Sequence, residues 1–291
     1  MATDPREALP GLLERFETLM TQLPGSSNET ASVVHEMLEL DEVLAMHCGV
    51  RFDAAFFGDD SMEMAGSQAR LGYALAKTDS LREAADTWVE AAKRFARHGD
   101  PSAGRQLINA AFAYRDVGRP DDALAAAHRA LQIPEAPQVP SHKSALLCIA
   151  YVSAQREAFE DAMTACEEGL LLPLAACAED FAVHAELWHA VSALAEPFDA
   201  PALQGYALRA AGSLHPSEAE QAEFDSQLHA FEQASPNAPR IVPSETKRHV
   251  VHVDEGVSVI AHPIAGLERV PQTQWAIGDA LEVPEPDSDP G

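Results

Sequence analysis

Three groupings of residues are of types that do chemistry. His249, His252 and Asp254 supply imidazoles and a carboxylate, the partners that general acid–base catalysis needs. Their spacing opposes that use, because residues three apart on a strand point to opposite faces. His184 and His189 stand five apart, not at the four-residue interval that puts two metal ligands on one helix face. His47-Cys48 sets a base beside a nucleophile, with no identifiable third group to orient the base. No GxGxxG, GxxxxGK[ST], GxSxG or HExxH occurs. The sequence therefore predicts a non-enzymatic protein with no cofactor and no metal. An unrecognised site near 235–280, built on the His249 cluster, is the enzymatic alternative.

The elements around these residues are better marked than any chemistry. Ala84, Ala123 and Ala162 return every 39 residues, and each follows a short polar turn: Ser80-Leu81-Arg82-Glu83, Arg119-Pro120-Asp121-Asp122 and Ala158-Phe159-Glu160-Asp161. Each alanine opens an amphipathic run. A fixed period of this size marks helical units that bury their apolar faces against neighbours. The spacing predicts helix pairs near 64–77 and 80–96, 102–117 and 120–132, and 142–155 and 158–172. A degenerate fourth pair follows at 179–195 and 199–214, with a capping helix at 216–233. Gly118-Arg119-Pro120-Asp121 has stop and start chemistry, a glycine closing one helix and a proline opening the next.

Composition agrees. Hydrophobic residues make up 46% of the chain and aromatics only 6%, which favours closely packed helices over sheet. A net charge of −26 argues against nucleic acid or anionic membrane as partner. The charge is uneven: residues 65–129 carry 10 of the 20 Lys and Arg, whereas 130–235 carry three. Cys48, Cys148, Cys166 and Cys177 have no CxxC spacing and sit in apolar runs, which predicts buried thiols and a reducing compartment. The first residues lack signal-peptide blocks, and no apolar stretch approaches bilayer length. A cytoplasmic location is the expectation.

Three regions follow. Residues 1–60 read as an N-terminal helical segment: Leu9, Leu12, Leu13, Phe16, Leu19 and Met20 recur at helical spacing, and Asp4-Pro5 suits a helix start. A second helix begins near Thr30, and Gly49 with Phe52–Gly58 reads as a passage into the repeats. Residues 61–235 form the helical-repeat domain. Residues 236–291 hold 8 of the 20 prolines and form an extended, acidic C-terminal extension. Within it, valine alternation over 248–253 and 257–261 predicts a short β-hairpin. Residues 279–291 are expected to be disordered.

The repeats resemble tetratricopeptide repeats. The first unit offers Leu71-Gly72-x2-Leu75, then Ala84, Trp88 and Ala91 at that family's intervals. The second offers Ala110-Ala111-x2-Tyr114, then Gly118, Ala123, Ala127, Ala130 and Pro134. The third offers Ile149-Ala150-x2-Ser153, then Ala162, Cys166, Gly169 and Pro173. The resemblance implies an all-α, TPR-like α-solenoid, with Gly72, Ala111 and Ala150 where helices cross. The period of 39 exceeds the family's 34, which assigns longer linkers between pairs, such as 132–141. The family's first-helix tryptophan is absent from all three units.

The resemblance also implies a site. In the family the first helix of each pair lines a concave groove, and the position after the crossing residue points into it. Here that position is Tyr73, Phe112 and Tyr151, with Ile108 and Leu147 four residues before the last two. Arg70, Arg105, Asn109 and Lys143 lie near this ladder. The family's Lys/Asn/Arg carboxylate clamp is incomplete, since Ala69 stands where a lysine would be. The aromatics either line a peptide groove or pack against the neighbouring helix, or the chain's own C-terminal tail fills the groove. The expected function is an adaptor, scaffold or co-chaperone that binds a protein or peptide partner, with a basic client favoured by the acidic shell. A regulatory sensor of a small peptide effector is the alternative.

Overall fold

A computed structural model of the protein describes residues 8–23, 25–134, 141–172, 178–214, 218–236, 249–253 and 257–261. They divide into two compact units between Ser141 and His142. The first unit holds α1 (Leu9–Met20), α2 (Ser27–Leu38), α3 (Glu42–Phe57), α4 (Met62–Lys77), α5 (Leu81–Arg97), α6 (Ser102–Asp116) and α7 (Pro120–Ala130). The second holds α8 (Ser141–Gln155, whose first residue closes the first unit), α9 (Phe159–Leu171), α10 (Ala178–Leu194), α11 (Pro201–Leu214) and α12 (Glu218–Ala234). It also holds a two-stranded antiparallel ribbon, β1 (His249–Val253) against β2 (Val257–Ala261), with Val251 opposite Val259.

The helices form for reasons visible in the residues. In α5 the buried positions are Ala84, Ala85, Trp88, Ala91, Ala92 and Phe95, a stripe at three- and four-residue intervals. Arg82, Glu83, Asp86, Glu90 and Lys93 take the exposed face. The α3 start is capped by the Asp41 carboxylate, which accepts from Leu44 N at 2.9 Å, and α4 by Ser61, which accepts from Met64 N at 3.1 Å. Pro120 occupies the first turn of α7, where its missing N–H costs nothing.

The 39-residue period is written in the backbone as well as in the side chains. Asp79, Gly118 and Glu157, at that interval, all adopt positive φ (58°, 72° and 58°) and end α4, α6 and α8. Just beyond each, an N–H reaches back five residues: Ser80 to Leu75 O (3.0 Å), Arg119 to Tyr114 O (2.8 Å) and Ala158 to Ser153 O (2.9 Å). This is the Schellman closure that satisfies a helix's last carbonyls. Asp199 (φ 51°) and the Ala200 N to Ala195 O bond repeat it between α10 and α11, so the fourth pair is built like the others. The folding pattern in each unit is therefore a TPR-like run of helical hairpins, all-α apart from the ribbon.

Small residues sit where the sequence placed them. Ala84, Ala111, Ala123 and Ala162 are wholly buried. A Cβ on Gly72 would fall inside the van der Waals envelope of the Trp88 indole. A Cβ on Gly169 would lie 2.8 Å from Leu187 Cδ1 and 3.5 Å from Leu146 Cβ, between the side chains of α10 and α8.

Several expectations change. The surplus over 34 residues is not always linker: in the first pair it lies in the helices themselves, 16 and 17 residues long, with only 98–101 before α6. Gly49 is no passage but mid-helix, and α3 runs unbroken to Phe57 before Gly58 (φ 97°) stops it. Asp4-Pro5, Pro216, Asp254 and the 262–291 tail lie outside the described residues. Overpacking a crossing should cost about 1–3 kcal/mol. Ala123→Leu and Gly72→Ala are each expected to lower the thermal midpoint by that equivalent. A midpoint unchanged in both would contradict the assigned register.

Candidate functional site

In the first unit, α4 and α6 present adjoining side chains. Tyr73 is 42% exposed, rare for a large apolar-bodied residue here. It is nonetheless fixed twice. Its ring meets Trp88 edge-on, with centroids 5.3 Å apart and planes at 70°. Its hydroxyl accepts from Asn109 Nδ2 at 2.8 Å, which leaves the phenolic hydrogen able to donate outward. Trp88 itself is 5% exposed and donates from Nε1 to Ala69 O at 3.2 Å, so the support beneath Tyr73 is rigid. One turn of α6 beyond Asn109, Phe112 is half-buried under the Arg115 guanidinium, 4.9 Å from its ring centroid.

The cations nearby are positioned too. Arg70 is exposed and donates from Nη2 to Ser67 Oγ at 2.6 Å, while the Ser67 hydroxyl bonds the Asp53 carboxylate on α3. Arg105 is exposed on α6. Ile108 and Leu147 differ from the implied ladder: at 8% and 5% exposed they pack in the interior of α6 and α8, because the residue four before a groove position has rotated toward the neighbouring helix. Tyr114 behaves as structure. Its hydroxyl donates to Asp86 at 2.6 Å, Arg119 lies 4.5 Å over its ring, and burial pushes its pKa up.

In the second unit, Tyr151 is half-buried and its hydroxyl donates to Glu186 Oε2 at 2.9 Å. Hence Tyr73 and Tyr151 each bond the first helix of the following pair, one as acceptor and one as donor. Asn109 is among the residues that the sequence sets near the ladder, whereas Glu186 and Arg115 have no signal in the spacing. Deeper in this unit, Lys143 Nζ meets Asp180 Oδ2 at 2.7 Å with both side chains 2% exposed or less. Lys143, placed near the ladder by its position, is thus a core residue. His184 lies beside this pair, buried, with Nδ1 unbonded; burial first and the Lys143 charge second push its pKa down to about 3. His189 has its ring 5.2 Å from that of Phe224 and its Nδ1 3.8 Å from Glu186. The Glu186 carboxylate beside it raises its pKa against partial burial, helped by Gln227 and Glu223 of α12.

Among the described residues no group of three His, Cys, Asp or Glu is arranged to hold a metal ion, and no helix is long and apolar enough to cross a membrane. Cys48, Cys148 and Cys166 are buried thiols. Burial pushes Cys48 upward and Cys166 to about 12, away from the thiolate that a nucleophile needs.

No protein-family model matches the chain, and no curated protein matches it. Among solved structures, it is similar to BtubC (BKLC) of P. vanneervenii at 13% identity, covering 88% of this chain and all of that one with a TM-score of 0.44. It is also similar to the nearly identical TPR-like repeats of a Podosopora anserina kinesin light chain, at 14% identity, 82% of this chain, all of that one and a TM-score of 0.39. A substituted form of those repeats matches at 14% identity over the same shares, with a TM-score of 0.41. These likenesses carry no assignment of family; the TPR-like character rests on the chain's own helix pairs and on the closures that recur between them.

The buried groups generate two predictions. Asp180→Ala removes the carboxylate that Lys143 meets in the interior and should cost about 3–5 kcal/mol, whereas Lys143→Met with Asp180→Leu should cost far less. Chemical denaturation of the three proteins distinguishes these. The two histidines act with opposite signs. His184, lowered in the fold, contributes stability above its unfolded value of 6.5 that is lost as pH falls from there toward about 3. His189, raised, contributes below 6.5 and loses that contribution as pH rises through its folded value. His189→Gln should therefore lower the melting temperature more at about pH 5.5 than at about pH 8.5, and His184→Leu should flatten the acid side of the profile. The reverse order would refute the contacts assigned to them.

Proposed function

We propose that this protein is a non-enzymatic interaction module that seats an extended peptide segment of a partner protein on the first helices of its repeat pairs. The observation that carries this reading is Tyr73. A large aromatic left exposed normally pays for its freedom on binding; here Trp88 and Asn109 have already fixed it, so little ordering remains. Aromatic anchors of this kind dominate interface energies. The outward phenolic hydrogen suits a peptide carbonyl, and Arg70 and Arg105 suit carbonyls or carboxylates on the same segment. Phe112, roofed by Arg115, supplies the adjoining apolar contact.

A role as adaptor, scaffold or co-chaperone within the cytoplasm fits this chemistry, with the acidic balance of the chain excluding anionic polymers as clients. The second reading, a sensor of a short peptide effector, uses the same face. Peptide display against the full chain tests both. Enriched sequences should share a motif, and Tyr73→Ala with Phe112→Ala should weaken the best of them about tenfold or more while helicity and cooperative unfolding persist. Absence of any enriched motif, or equal binding by the double variant, would refute the proposal.

A further inference from the structure

The second exposed aromatic feature precedes the start of α4, whereas Tyr73 lies near that helix's end. Phe56 and Phe57, at the end of α3, are 39% and 48% exposed, and with Tyr73 they are the large exposed hydrophobics among the described residues. They are not loose. Phe52 is packed against the core of Phe16, Leu19, Val33 and Met37; Phe56 stacks on Phe52 with centroids 5.7 Å apart and planes at 14°; Phe57 meets Phe56 edge-on at 4.9 Å and 82°. Ala55 to Asp60 are six consecutive exposed residues, so the stack stands out as a knuckle. Clustered exposed aromatics of this sort mark interaction sites.

Its surroundings fix the sign of what it meets. The last carbonyls of α3 give this end a partial negative charge. The Asp59 carboxylate, exposed, has no partner among the described residues. The stretch that carries the stack, 41–60, holds Asp41, Glu42, Asp53, Asp59 and Asp60 against Arg51 alone. Of the described arginines, Arg15 is paired with Glu29 at 2.9 Å and Arg51 with Glu17 at 2.5 Å. The cations that approach from α5 are compensated as well: Arg94 lies 3.6 Å from the Glu90 carboxylate while its Nε donates to Asp59 O at 2.8 Å, and Arg97 pairs with Asp60 at 2.5 Å. An apolar anchor is thus set in a negative rim.

We infer that the Phe52–Phe56–Phe57 stack is a second docking surface, taking a partner-protein segment in which apolar anchors are flanked by Lys or Arg. The apolar side chains cover the rings, and the cations meet Asp59 and the helix-end carbonyls. The site is separate from the Tyr73 face and its charge is opposite.

The test uses the full chain with two labelled amphipathic peptides of one apolar pattern, a Leu/Lys peptide and a Leu/Glu peptide, at about 0.15 M salt. The Leu/Lys peptide should bind, slow amide exchange over 52–60, and lose affinity about tenfold or more in Phe56→Ser with Phe57→Ser. Asp59→Lys should weaken it as well, and Tyr73→Ala should not, which separates this site from the proposed peptide face. Equal binding by the double serine variant, binding of the Leu/Glu peptide as tight as the Leu/Lys one, or no binding of the Leu/Lys peptide would each overturn the inference. So would self-association of the wild type that the double variant abolishes, which would give the surface to a second copy.

Discussion

The contact between Gly72 and Trp88 is the one on which the rest of the first unit's face depends. The indole lies where a Cβ on residue 72 would stand, and from there it bonds the Ala69 carbonyl and supports the Tyr73 ring. Any larger residue at 72 would push the indole off, and both the α4–α5 approach and the Tyr73 platform would go with it. One missing side chain thus couples packing to the proposed binding. Gly169 makes the same kind of space in the second unit, against Leu187 and Leu146, with no exposed aromatic beside it among the described residues.

Charge is handled differently in the interior and at the surface. Most ion pairs, such as Lys77–Glu42 at 2.8 Å, join exposed side chains, where each contributes little and salt screens it. Lys143–Asp180 is the contrasting case. It carries a large penalty if halved and little net gain if kept, and it joins α8 to α10 in the interior. His184 beside it stays neutral across the ordinary pH range for the same reason, burial next to a cation.

The periodic part of the fold was legible because its physics is local. Alanines at a 39-residue interval and the Gly118-Arg119-Pro120 punctuation sufficed to place three hairpins and a fourth. The positive-φ residues were legible only at Gly118: Asp79 and Glu157 hold the same conformation without the residue type that announces it. At the site, Tyr73 and Arg70 lie on α4, and Phe112, Arg105 and Asn109 on α6, the first helices of their pairs. Register could not tell that Ile108 and Leu147 turn inward, since a first helix has neighbours on two sides and a linear pattern does not say which side wins. The partners of each ring, Asn109 for Tyr73 and Glu186 for Tyr151, come from positions about 35 residues away and only appear once the hairpins stack. Gly49 and 52–58 read as a passage in the sequence because a glycine there resembles a break, whereas α3 runs unbroken through it, with Val34 Cγ1 of α2 3.9 Å from where a Cβ would stand.

The central claim is that the fixed, exposed ring of Tyr73 is where a partner's peptide sits. Replacing Tyr73 by a photoreactive phenylalanine derivative, with Arg82 on the exposed side of α5 replaced likewise as the control, measures this directly. Irradiation with a display-selected peptide should give a covalent adduct from position 73 and little from position 82. Equal labelling at both positions, or none at 73 while the peptide remains bound, would contradict the account.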